Sequence, residues 1–97
     1  MLLILFVLGL YFRFLFAYNL AMIMMTQIQI QEQLGARIRE LRVSRGWSQE
    51  AFADYCGIHR SHMGEIERGN ANVTLLTLLV IAQQLQITAS ALLKEIA

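Results

Sequence analysis

Ser48–Gly69 reads SQEAFADYCGIHRSHMGEIERG, and this stretch decides the fold. Counted from Gln49, its special residues fall at fixed offsets. Phe52, Ile58, Met63 and Ile66 are apolar at helical spacing, so they face one common interior. Ala53 is small where two helices must approach closely, and a larger side chain there would push the second helix away. Gly57 sits where the first helix has to end in a left-handed turn, a backbone state that costs glycine little. Six constrained positions within eighteen residues predict two short helices set at an angle around a tight turn, a helix-turn-helix.

Working outward, Leu34, Ile38 and Leu41 recur at i, i+4 and i+7, with Arg37, Arg39, Glu40 and Arg42 between them. That pattern predicts an amphipathic first helix ending near Gly46. Ser48 has the character of an N-cap, with Gln49 and Glu50 in the first turn of the second helix. A third helix is expected over about 59–68. After Gly69 the run NANV reads as a loop, and Thr74 is expected to cap a fourth helix to about Leu85. Leu75, Leu78, Leu79 and Ala82 are expected on its inner face. Thr88 is expected to cap a fifth helix, Ala89–Ile96, carrying Leu92, Leu93 and Ile96. The predicted architecture is an all-α, five-helix domain.

The chain has 97 residues, no proline, one cysteine and a net charge of +1. That length suits one small domain. A lone cysteine excludes an intramolecular disulfide. The small net charge weighs mildly against nucleic-acid binding, so any phosphate contacts should be few and local. Composition changes sharply near Met24–Gln27. Residues 1–25, MLLILFVLGLYFRFLFAYNLAMIMM, are apolar apart from Gly9, Arg13, Asn19 and the tyrosine hydroxyls, whereas 26–97 carry the charge and the periodicity.

Leu2 to Met25 would span about 36 Å as a helix, enough for a hydrocarbon core of about 30 Å. Its fourteen Leu, Ile, Phe and Val residues favour insertion by about 0.3–0.6 kcal/mol each, against about 3 for Arg13. Arginines from Arg37 onward would keep the following domain in the cytoplasm. A cleaved signal peptide fits badly, for want of a basic start. A second expectation competes with the anchor. Met22, Met24 and Met25 stand where a soluble chain would begin, so residues 1–24 are expected to be translated upstream sequence.

LGARIRELRVSRGWSQEAFADYCGIHRSHMGEIERG followed by VTLLTLLVIAQQLQITASALL resembles the XRE family, the lambda-repressor-like helix-turn-helix domains, over Leu34–Leu93. The most specific parts are SQEAFA, the CGI turn and IERG. HRSHMGEIERGNANVTL is similar to a subset that includes controller proteins of restriction–modification systems. The resemblance implies a regulator that binds double-stranded DNA as a homodimer and needs no cofactor, working in the cytoplasm unless the apolar segment anchors it to the inner membrane.

Gln49 matches the family position whose amide holds a backbone phosphate, a contact that positions without reading sequence. The third helix would enter the major groove. Arg60 is the best base-reading candidate, because its fork matches guanine O6 and N7. Ser61 suits a base edge or a phosphate. Glu65 suits cytosine N4 or simply stands solvated. Arg42 and Glu67 match positions that tie the first helix to the end of the third, with phosphate contact a weaker role for Arg42. Arg68 is expected to donate to the backbone or to be a solvated helix-end charge. His59 and His62 are expected on the helix surface or against DNA.

Cys56, His59 and His62 lie within seven residues, but zinc needs four ligands and no second Cys/His pair exists, so no metal is expected. Trp47 is expected in the core with its indole N–H at an edge. No nucleophile–base–acid set is present, so the chain is not expected to be an enzyme. Gly64, inside the third helix, costs about 0.5–1 kcal/mol relative to alanine. Either close approach to DNA or tolerant packing would explain it. The dimer surface is expected on the fifth helix. The competing function is a protein-interaction module, such as an antitoxin or a scaffold with a protein partner, kept in view by the near-neutral charge.

Overall fold

The computed structural model describes residues 1–96. Among them are five helices: α1 (Leu2–Ser44), α2 (Gln49–Cys56), α3 (Arg60–Arg68), α4 (Leu75–Gln84) and α5 (Ala89–Leu92). Helices α2 to α5 gather around the C-terminal third of α1, which packs against α3 and α5. The remainder of α1 projects away, giving extents of 67 × 25 × 20 Å.

The starts of α2, α4 and α5 are set by hydroxyl caps. The Ser48 hydroxyl accepts from Ala51 N–H at 3.0 Å, Thr74 from Thr77 N–H at 3.2 Å and Thr88 from Ala91 N–H at 3.0 Å. Each satisfies one of the backbone donors that a helix N-terminus leaves over. Gly57 and Gly69 close α2 and α3 in left-handed backbone, at φ 66° and 80°. The core joins Ile38 of α1, Phe52 and Ala53 of α2, Met63 and Ile66 of α3, Ile81 of α4 with Leu85 just beyond it, and Leu92 of α5. Ile58 is half-buried and packs against that cluster, as its place in the turn requires.

The first helix runs unbroken from Leu2 to Ser44, across the change in composition. Two expectations are corrected. On α4 the inner face is Leu78, Ile81 and Ala82, continued by Leu85 at its C-cap, while Leu75 and Leu79 are exposed. Both stripes have helical spacing in LLTLLVIAQQL, and only the neighbours choose between them. The fifth helix stops at Leu92, and Leu92 itself is fully buried, so it belongs to the monomer's core and not to a dimer surface.

Helix α1 sits unusually close to the end of α3. A Cβ on Gly35 would lie 2.3 Å from the Ile66 carbonyl oxygen and 2.7 Å from that of Glu67. On the other side, a Cβ on Gly69 would lie 2.7 Å from Glu32 Cα. Two glycines therefore let the two backbones touch. Arg45, just beyond α1, donates through Nη1 to the Leu41 carbonyl and through Nη2 to that of Leu85, joining the end of α1 to the end of α4.

Candidate nucleic-acid interface

The site is built from the N-terminus of α2 and the outer face of α3. Gln49, His59, Arg60, Ser61, Gly64, Glu65 and Arg68 line one open cavity of ≈ 340 Å³. Arg60 and Ser61 open the first turn of α3, exposed beside half-buried Gln49 on α2. Glu65 and Arg68 follow one and two turns later. His62 is also exposed but does not line this cavity. Of the residues singled out from sequence, all but Arg42 and His62 are thus brought together.

Arg42 points inward. Its Nε and Nη2 donate to the two Glu67 carboxylate oxygens at 2.8 and 2.9 Å, and Nη1 donates to the Trp47 carbonyl at 2.8 Å. With all three guanidinium nitrogens committed and the side chain buried, Arg42 is the expected tie between α1 and α3. Its weaker role as a phosphate contact finds no support. The pairing is bidentate and desolvated, so losing either partner strands a charge in the core.

The same carboxylate also holds α2. Gln49 Nε2 donates to Glu67 Oε1 at 3.2 Å. Glu67 thus receives α1 from below and positions the α2 amide at the surface, a role that sequence reading missed because the two residues are eighteen positions apart. Trp47 covers this arrangement from the side. Its ring stacks on Phe52 at 5.6 Å and meets Tyr55 edge-on at 5.3 Å, with the Arg45 guanidinium 6.0 Å from its centroid.

His59 has an unexpected local role as the N-cap of α3. Its Nδ1 accepts from Ser61 N–H at 3.3 Å and lies 2.8 Å from the Ser61 hydroxyl. Arg68 donates to Glu65 at 2.6 Å across one helical turn, and this guanidinium holds the Glu65 carboxyl below the usual carboxylate range. Arg68 also fills the space that a side chain at Gly64 would occupy: a Cβ there would meet its Nη1 at 3.1 Å and Gln49 Oε1 at 3.4 Å. The glycine therefore seats protein side chains against the helix. Cys56 is buried beneath the turn, and burial pushes its thiol up to about 11, so it stays protonated and unreactive at neutral pH.

This geometry is that of a helix-turn-helix, and the comparison with known families agrees: residues 38–92 match the helix-turn-helix family HTH_3. The chain belongs to that family. It is 38% identical over 66 residues to the control protein C.SmaI of Serratia marcescens, covering 68% of this chain and 79% of that protein. The restriction–modification controller protein C.AhdI of Aeromonas hydrophila superposes with a TM-score of 0.62 at 42% identity, covering 64% of this chain and 94% of that one. SinR, solved in complex with DNA, matches at 27% identity and a TM-score of 0.60, covering 63% of this chain and 98% of that one. Against two further transcription factors the chain spans 57% and 56% of their length. The family places this chain among helix-turn-helix transcriptional regulators. Its match begins at residue 38 and leaves the apolar part of α1 outside.

Proposed function

We propose that this protein is a sequence-specific transcriptional regulator that binds double-stranded DNA as a homodimer, with α3 in the major groove and the domain over 26–97 working in the cytoplasm. The observation that carries this reading is that half-buried Gln49 and exposed Arg60 and Ser61 line one open cavity. Gln49 supplies a neutral phosphate contact, held in place by Glu67. Arg60, at the first turn of α3 and free of any partner on α3 among the described residues, reads a guanine.

One recognition helix reads too few base pairs for tight binding, so two half-sites one helical turn apart are required. The surface favouring a second copy is on α4 and just beyond α5. Leu75 and Leu76 are exposed by 71% and 73%, with Leu79 and Leu93 also exposed. Leucines so exposed on a small domain mark an interaction surface.

A gel shift of the full chain in mild detergent, against the DNA upstream of its own reading frame, tests the reading. A discrete shift is expected, and Arg60→Ala should lose about 1–3 kcal/mol of discrimination for one base pair. The absence of any shift at low salt, together with a co-purifying protein, would transfer the function to the interaction-module reading that the near-neutral charge favours.

A further inference from the structure

We propose that Leu2–Met25 is a membrane anchor whose partner is a lipid bilayer, and that it holds the DNA-binding domain against the cytoplasmic face through an unbroken helical rod. This goes beyond DNA recognition and does not depend on it.

The first support is the way the segment is exposed. Leu3, Ile4, Leu5, Phe6 and Val7 are consecutive, so they point around the whole circumference of the helix, and none is less than 56% exposed. The same holds onward through Phe12, Phe14, Phe16, Tyr18 and Ile23. A groove on another protein, or a second copy of this helix, covers one stripe and needs a polar stripe opposite. No such stripe exists here: Arg13 and Asn19 are the only strongly polar side chains in the segment. Only an apolar medium on all sides satisfies this surface.

Length and charge agree. The apolar window has a mean hydropathy of 1.9 and none of it is buried within the protein. At 1.5 Å per residue the segment reaches about 36 Å, against a hydrocarbon core of about 30 Å. Arg37, Arg39, Arg42 and Arg45 all follow within twenty residues of Met25. That cluster of positive charge favours the C-terminal side as cytoplasmic, where DNA is.

The tertiary structure adds that the anchor has no hinge. Helix α1 continues from the apolar segment into the domain without proline or interruption. Thr26–Gln33 forms a rod of about 12 Å between them. The backbone of α1 is then seated on the end of the recognition helix through Gly35 and Gly69. A flexible linker would let the domain tumble, whereas this connection fixes the tilt of α3 relative to the bilayer.

The test is fractionation of the full chain, carrying a C-terminal epitope tag, from a bacterial host. Full-length protein is expected in the membrane pellet after an alkaline carbonate wash, released only by detergent. The tag should survive protease added to spheroplasts. The double substitution Leu8→Arg, Phe16→Arg should raise the soluble fraction at least tenfold while leaving the helical circular dichroism of the domain intact. Cell-free synthesis with phosphatidylethanolamine–phosphatidylglycerol vesicles should float the wild-type chain and not the double variant. Wild-type protein recovered in the carbonate supernatant, or sedimenting away from vesicles, would overturn the anchor. So would an intact mass showing that cells make only a product starting at Met22, Met24 or Met25. Digestion of the tag from outside would overturn the orientation. None of these readouts involves DNA, so failure here is separable from failure of the regulator reading.

Discussion

Leu10 and Ile38 lie on one helix with one backbone hydrogen-bond ladder, yet Leu10 is 50% exposed and Ile38 is completely buried. The two ends of α1 show that forming a helix and burying it are separate physical events. The first needs only local propensity, which Leu and Met supply in the apolar half and Gln, Glu, Leu and Arg in the other. The second needs partners distant in sequence, which α3 and α5 supply only to the C-terminal end. The same side-chain chemistry therefore stabilises the domain at one end of the helix and seeks another medium at the other.

The sharpest way to break this contrast is at the buried ion pair, which has no counterpart in the apolar half. Glu67→Ala strands Arg42 in the core and releases Gln49, and chemical denaturation in detergent should show a loss of about 3–5 kcal/mol. A loss below about 1 kcal/mol would mean that the pair is not what joins α1 to α3. Next comes the matched pair of truncations: Ile38→Ala should cost about 2–5 kcal/mol, and Leu10→Ala should leave unfolding of the domain within about 0.5 kcal/mol of wild type. Equal effects would erase the distinction between the two halves.

A third pair uses one substitution twice. Gly35→Ala drives a methyl into the Ile66 and Glu67 carbonyls and should destabilise by about 1–3 kcal/mol. Gly9→Ala meets nothing within 4 Å and should leave the domain's thermal midpoint unchanged. The smallest effect belongs to the exposed Glu65–Arg68 pair. Because Arg68 lowers the Glu65 carboxyl in the folded state, its contribution is complete above the unfolded carboxylate range. It is lost as pH falls through the lowered folded value. Glu65→Gln should flatten that slight acid-side slope in stability, and a titration of thermal midpoint against pH would detect it.

Much of the domain was legible locally. Ser48, Thr74 and Thr88 cap where their hydroxyls predict, because a cap involves only the next three residues. Phe52, Ala53, Met63 and Ile66 are buried and Gly57 turns, because the angle between two adjacent short helices leaves those positions little choice. That Gln49, His59, Arg60, Ser61, Glu65 and Arg68 share one surface followed from their helical spacing, whereas how they are held did not. His59 as a cap, Arg68 lying over Gly64, and Glu67 holding both Arg42 and Gln49 all depend on which side chains meet across helices. Leu75 and Leu79 were misplaced for a related reason: a helix apolar on most sides offers several equivalent inner faces.

The sequence by itself determined the helix-turn-helix, its caps and turn, the all-α class and the abrupt change in polarity near Met24, all of which follow from steric and spacing rules spanning a few residues. Only the tertiary structure decided that α1 crosses that change without a break, that Gly35 and Gly69 bring two backbones into contact, and that one buried carboxylate joins three helices. Those outcomes depend on close packing between segments far apart in the chain, where a difference of one methyl group selects the arrangement, and no local pattern encodes that distance.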